Sequence, residues 1–566
     1  MISPRKLSAA ILALTMITGP VLLRADDDKP GADKTASKSS DKSSDKTTDK
    51  APPAESTTQG SVVVAGQSIA YTAVAGTLTV GSTDVQDAQL DMDGKPEPGS
   101  QLANSEPKDA KDATPVAKMF YVAYFKGVPS DGSSSLGQKK DAKAEDRPIT
   151  FFYNGGPGSS TVWLHMGSLG PKHVVTDTDQ HLPAAPYKMV DNAYSLLDTS
   201  DLVFIDMPGT GFGRLVGKDA EKAFWGVDED ANAFARFIQR FITKYNRWNS
   251  PKYLFGESYG TTRSAVLSDI LENGKSIDLN GVILLSQIFN FTTDIDGPQG
   301  NPGVDLPYVL ALPTYAATAW YHKKLPTQPA ALDPFLKEVE EFAMGPYTHA
   351  LAQGTDLSAD EKQAVAEKLH QYTGLPVAYL IKAGLRVNGG EFEKTLQEDQ
   401  DLTTGRLDTR FSGPNLNPLS EGAEYDPQSS AISSAYVSLF NDYVRKDLKF
   451  GAGQTYLSEA LFGSAQWDTA HRGNPTSLNV AIDLAEALKT NPRLRIMVNG
   501  GYYDLATPFF AAQYEEKHLP IPQSLAKNIE YDWYESGHMV YVRDESLKQL
   551  HDRVAAFIKS TLTESK

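Results

Sequence analysis

Between residues 148 and 290, short apolar runs alternate with stretches whose apolar positions recur at helical spacing. Ile149–Tyr153 (ITFFY), Asp201–Asp206 (DLVFID), Lys252–Phe255 (KYLF) and Gly281–Ser286 (GVILLS) have the length and continuity of strands buried on both faces. Ala231–Tyr245 is amphipathic at helical spacing, and a second helix is predicted from just after Gly256 through Leu271. The rhythm returns at Leu494–Val498 (LRIMV) and Ile529–Trp533 (IEYDW), and a helix over Ser546–Leu562 closes the chain. Strands alternating with helices predict an α/β fold with a mostly parallel central sheet and helices on both faces. Residues 301–455 break the rhythm with helical patterns such as Leu336–Met344 and Ser358–Thr373. They are expected to form a mainly helical insertion, of the kind that often serves as a lid. The core is therefore expected in two parts, 61–300 and 456–566, with no internal repeat.

The N-terminal region reads differently. Arg5 and Lys6 precede an apolar run over 7–23, and Ala25 stands before Asp26-Asp27-Asp28. This is the pattern of a signal peptide, expected over 1–25 and leaving no stable membrane span once cleaved. Residues 26–60 are dominated by Asp, Lys, Ser and Thr, and are expected to be a disordered linker. Ser61–Val80 then reads as short strands, Asp84–Ala113 as a long polar loop, Met119–Phe125 as a buried strand, and 129–147 as a flexible insertion.

Composition narrows the possibilities. Of 566 residues 40% are hydrophobic, which is ample for a large core. The net charge of −17 argues against nucleic acid as a partner, since phosphate binding needs clustered Lys and Arg. There is no cysteine, which excludes disulfides, thiolate nucleophiles and cysteine-held metals. The histidines are scattered and no H-E-x-x-H is present, so neither metal nor cofactor is expected. An exported chain without disulfides suggests a bacterial periplasmic or secreted protein. Oligomeric state is not legible.

The candidate chemistry lies at strand ends. Phe255–Gly260 (FGESYG) is a G-x-S-x-G between a predicted strand and a predicted helix, the setting that lifts a serine clear of a sheet. Ser258 is then a nucleophile. Asp504 follows the strand Leu494–Val498 and His538 follows the strand Ile529–Trp533, which supplies an acid and a base in the order Ser, Asp, His. Oxyanion donors are expected at the N–H of Tyr259 and in the early turn Asn154-Gly155-Gly156-Pro157-Gly158-Ser159-Ser160, where Gly156 can approach a substrate closely. That turn lacks the Lys-Ser/Thr of a phosphate-binding loop.

NGGPGSS, GESYG, a G-x-x-D loop and GHM together resemble the serine carboxypeptidase family, over roughly 148–290 and 490–560. The resemblance implies an α/β-hydrolase fold, with Ser258, Asp504 and His538 as triad and Gly156 and Tyr259 as oxyanion donors. It implies a peptide substrate with a free C-terminus, whose carboxylate is held by Asn154, Gly155 and Glu257. Glu257 can hold an anion only when protonated, so activity is expected to favour acidic pH. Asp206–Gly213 (DMPGTGFG) is similar to a further family segment, with Met207 and Gly213 as departures. Phe152 stands for the family's tryptophan and Ser159 for its cysteine. Ser168 stands where the family has a second glutamate, which leaves an esterase, another peptidase or an acyltransferase as alternatives on the same triad.

Overall fold

The computed structural model describes residues 55–105, 109–127, 147–462, 466–474 and 477–563. The expected signal peptide, most of the expected linker and nearly all of the insertion at 129–147 lie outside them.

The central sheet has ten strands, nine of which form one path. These are β1 (Glu55–Val64), β2 (Gln67–Gly81), β3 (Val116–Lys126), β4 (Ile149–Tyr153), β5 (Asp201–Ile205), β6 (Lys252–Glu257), β7 (Gly281–Leu285), β8 (Arg495–Gly501) and β9 (Ile529–Tyr534). Their spatial order is β1-β2-β3-β5-β4-β6-β7-β8-β9. The first three form an antiparallel meander joined antiparallel to β5, and every pairing from β5 to β9 is parallel. The architecture is that of an α/β-hydrolase.

Period-two alternation divides the core. Phe151, Val203, Leu254, Val282 and Ile496 face one layer, packed with helix α1 (Val227–Lys244). Their neighbours Phe152, Phe204, Tyr253, Ile283 and Met497 face the other, packed with the last helix. A strand buried on both faces is apolar throughout, which is why these strands stood out in the sequence.

Two elements differ from expectation. Strand β1 starts at Glu55, inside the stretch expected to be linker. Its polar Glu55–Gly60 half is stabilised by the backbone ladder to Tyr71–Gly76 of β2, which apolar patterning does not report. The expected insertion is helical through α2 (Leu306–Tyr321) and later helices, around a separate core containing Tyr315 and Phe392. Its last part is built into the main core instead. The helix α3 (Pro427–Lys446) buries Tyr436, Phe440 and Tyr443 against the sheet, and residues 402–414 thread between two loops of the site.

Candidate active site

Because β4 to β9 run parallel, the loops after them emerge at one edge of the sheet. Asn154 follows β4, Ser258 follows β6, Asp504 lies beyond β8 and His538 beyond β9. The chain runs from β4 outward to β5 and then returns to β6 on the other side of β4, so a crevice opens between β4 and β6. The glycine turn and the nucleophile candidate flank it.

Ser258 sits at φ 62°, ψ −132°, a conformation that costs a non-glycine residue about 1–3 kcal/mol. The surroundings enforce it. A Cβ on Gly256 would strike Gly260 O, and one on Gly155 would strike Tyr259 N, so both positions must be glycine for the turns to meet. Tyr259 opens the helix Tyr259–Asp269, so its N–H is one of the unpaired donors of a helix start. Gly155 presses the NGGPG turn against it, and Gly156 follows at φ 107°. Behind the turn, fully buried Arg263 donates to Asp230 Oδ2 at 2.6 Å and to Asn154 O at 2.8 Å, and lies 4.3 Å over the Phe234 ring. One guanidinium thus ties the helix after Ser258 to the glycine turn.

Asp504 and His538 are joined, with Nδ1 2.8 Å from Asp504 Oδ2. Thr507 fixes the carboxylate, donating to Oδ1 from its N–H (3.0 Å) and to Oδ2 from its hydroxyl (2.8 Å). No hydrogen bond joins Ser258 Oγ to His538 among the described residues. The two are linked through the backbone: Ser258 N–H donates to Leu285 O (3.0 Å), and the next residue's hydroxyl, of Ser286, donates to His538 O (2.7 Å). Catalytic hydrogen bonds are often long before substrate closes the site.

Glu257 is 3% exposed. Burial pushes its carboxyl up to about 7, against the pull of the His538 ring and of hydrogen bonds from Tyr541 and Asn154, with the Asp504 charge adding to the rise. His538 is raised as well: burial opposes its charge, but Asp504 and, less strongly, Glu257 outweigh burial. The two protons are therefore linked. A proton on Glu257 removes one of the charges that hold a proton on His538, so neutral Glu257 favours the neutral imidazole that a base must be. Ser168 is wholly buried and donates to Leu164 O (2.5 Å), so it offers Glu257 no partner.

Several residues here escaped the reading of the sequence. Thr507 was legible in principle, since Asp-x-x-Thr is a local side-chain-to-backbone pattern. The 406–410 segment was not. Arg406 O accepts from Leu505 N–H (3.1 Å), Leu407 O from His538 N–H (2.6 Å), and Thr409 N–H donates to Tyr503 O (2.9 Å). Asp408 forms a buried ion pair with Arg410 (2.6 Å) and accepts from Gly537 N–H (3.2 Å). A strip of the insertion thus holds the Asp504 loop and the His538 loop together. Glu459 accepts from Ser159 (3.0 Å), and the strip around it pairs with the glycine turn.

Comparison with known proteins bears on the same residues. The profile of the family described as serine carboxypeptidase matches residues 136–554. The chain belongs to the serine carboxypeptidase family. A serine carboxypeptidase-like protein of Oryza sativa subsp. japonica is 30% identical over 125 residues, 22% of this chain and 26% of that protein. A carboxypeptidase Y homolog of Arthroderma benhamiae is 29% identical over 266 residues, 40% of this chain and 49% of that one. The chain therefore spans from about a quarter to about half the length of these relatives. A lipase in its open form is similar at 13% identity and a TM-score of 0.30, covering 80% of this chain and 97% of the lipase. Among the described residues no helix is long and apolar enough to cross a membrane, and no cluster of three or more His, Cys, Asp or Glu could hold a metal ion.

Proposed function

We propose that this family member is a serine carboxypeptidase that releases C-terminal residues from peptides through an acyl-enzyme on Ser258. The observation that carries the reading is the buried Glu257 beside the strained serine, facing Asn154 and the Asp504–His538 pair. Such a carboxyl, neutral at acidic pH, can donate to a substrate carboxylate. An anionic one would repel it.

His538 takes the Ser258 proton as Oγ attacks the terminal peptide carbonyl. The developing oxyanion is met by the N–H groups of Gly156 and Tyr259. The imidazolium, steadied by Asp504, returns its proton to the leaving amine. Water then enters, His538 takes its proton as the oxygen adds to the acyl carbonyl, and the acyl–Oγ bond breaks as His538 returns that proton to Ser258, freeing the acid product. Asn154, Gly155 and Glu257 hold the terminal carboxylate and so set the register of cleavage. The helical part of 301–455 shapes the substrate's approach. The N-terminal pattern supports an enzyme outside the cytoplasm, periplasmic or secreted, and a bacterial-type member of the family.

The test is a blocked dipeptide offered as free acid and as C-terminal amide, between about pH 4 and 8, a range that brackets a raised glutamate. The carboxypeptidase reading expects faster cleavage of the acid, mainly at low pH, and none by Ser258→Ala. Equal cleavage of acid and amide sinks it and favours the alternative of an esterase, another peptidase or an acyltransferase on the same triad, which the buried Ser168 keeps open.

A further inference from the structure

A carboxyl that must hold its proton toward a substrate needs a partner on its far oxygen. Where the family has a second glutamate, this chain has Ser168, and the structure turns Ser168 away. Two tyrosines pack beside its neighbour. A Cβ on neighbouring Gly167 would come within 2.6 Å both of the Tyr436 hydroxyl and of the Tyr541 ring. Tyr541 stands three residues beyond His538, is fully buried, and donates its hydroxyl to Glu257 Oε2 at 2.9 Å. Tyr436 arrives from α3, also fully buried, and its hydroxyl has no partner among the described residues.

We propose that Tyr541 is the positioning residue that completes the terminal-carboxylate site in place of a second carboxyl. Its hydroxyl occupies Glu257 Oε2, which leaves Oε1 to carry the proton and donate it in a hydrogen bond to the substrate. This rests on the carboxypeptidase reading above. A phenol keeps its proton far above neutrality, and burial beside Glu257 raises that of Tyr541 further. A partner carboxyl would have to be protonated too. The groups facing Glu257 are His538, Asp504, Asn154, Tyr541 and Tyr436. Only one proton on the carboxylate-binding side, that of Glu257, is thus lost between pH 5 and 8.

Two consequences follow for KM of a free-acid dipeptide. In the wild type, the alkaline rise should follow one proton, about tenfold per pH unit, where loss of two would give about a hundredfold. In Tyr541→Phe, the hydrogen bond that favours ionised Glu257 is gone, so the rise should begin at higher pH. KM at pH 5 should increase about tenfold, because the proton is no longer confined to Oε1. Hydrolysis of a neutral ester substrate should not change. Ser168→Ala should leave all of these values as they are. The proposal is overturned by a two-proton rise in the wild type, by a Tyr541→Phe enzyme with unchanged free-acid KM and pH profile, by equal losses on acid and ester, or by a Ser168→Ala enzyme that mimics Tyr541→Phe. A two-proton slope in the wild type overturns the proposal even if Tyr541→Phe does not fold. A wild type that cleaves acid and amide alike sinks the carboxypeptidase reading itself. A wild type that prefers the acid while Tyr541→Phe changes nothing sinks only the role of Tyr541.

Discussion

Glu257 and His538 show how two neighbouring side chains set a pH window that neither would have alone. Glu257 holds its proton up to about 7, so free-acid cleavage should decline as pH rises through that value. Glu257→Gln keeps a neutral donor and cannot ionise. Its kcat/KM for the free acid should lose the alkaline limb, while its acid limb should stay where it is, because protonated Glu257 already carries no charge toward His538. A pH–rate profile of both enzymes checks this, and an unchanged alkaline limb would refute it. At Asp504, substitution by Asn should lower kcat by about ten-thousandfold, as the loss of a triad carboxylate does elsewhere. Thr507→Val should cost far less, since Asp504 keeps its bond to His538.

Local sequence names the strand-end residues because strand, turn chemistry and catalytic residue type coincide within a few positions. It does not name the residues that hold them. The strip Arg406–Arg410 lies about a hundred positions from the loops it joins, in a stretch whose composition announces only helices and turns. The side chains of Asp408 and Arg410 are only 2% exposed in the fold. Asp408→Asn leaves Arg410 buried without its counter-charge, and should cost about 3–5 kcal/mol of stability in urea unfolding. It should also lower kcat on ester and peptide substrates alike, because the strip bonds the acid and base loops rather than the carboxylate site. A variant as stable and as active as the wild type would show that the strip only fills space. The same reasoning covers β1, whose polar half is ordered by a neighbour and not by its own pattern.

Several buried titratable groups give the whole molecule a preference for acid. Burial raises Glu257 and Glu459 to about 7 and Glu516 to about 8, so the folded state binds protons that the unfolded chain releases near its usual carboxylate range. Each such group adds stability below that range and loses it as pH rises through the raised value. His471 is raised to about 9 by Asp228 and Asp483, against burial, and its contribution is likewise full below the ordinary histidine range and lost towards pH 9. These act in one direction, and buried His165, held down to about 3, opposes them only below the ordinary histidine range, so Tm should fall from about pH 7 to pH 9, as thermal scans across that range would show. The opposite trend would mean that these groups are solvated in the native state. The sequence by itself determined the parallel sheet, the serine turn and the strand-end places of Ser258, Asp504 and His538, because each of these is written in a strand and the few residues after it. Only the tertiary structure decided what partners Glu257, what clasps the two triad loops and where the insertion joins the core. Those contacts link residues far apart in the chain, and a buried hydrogen bond leaves no periodic trace in the sequence that makes it.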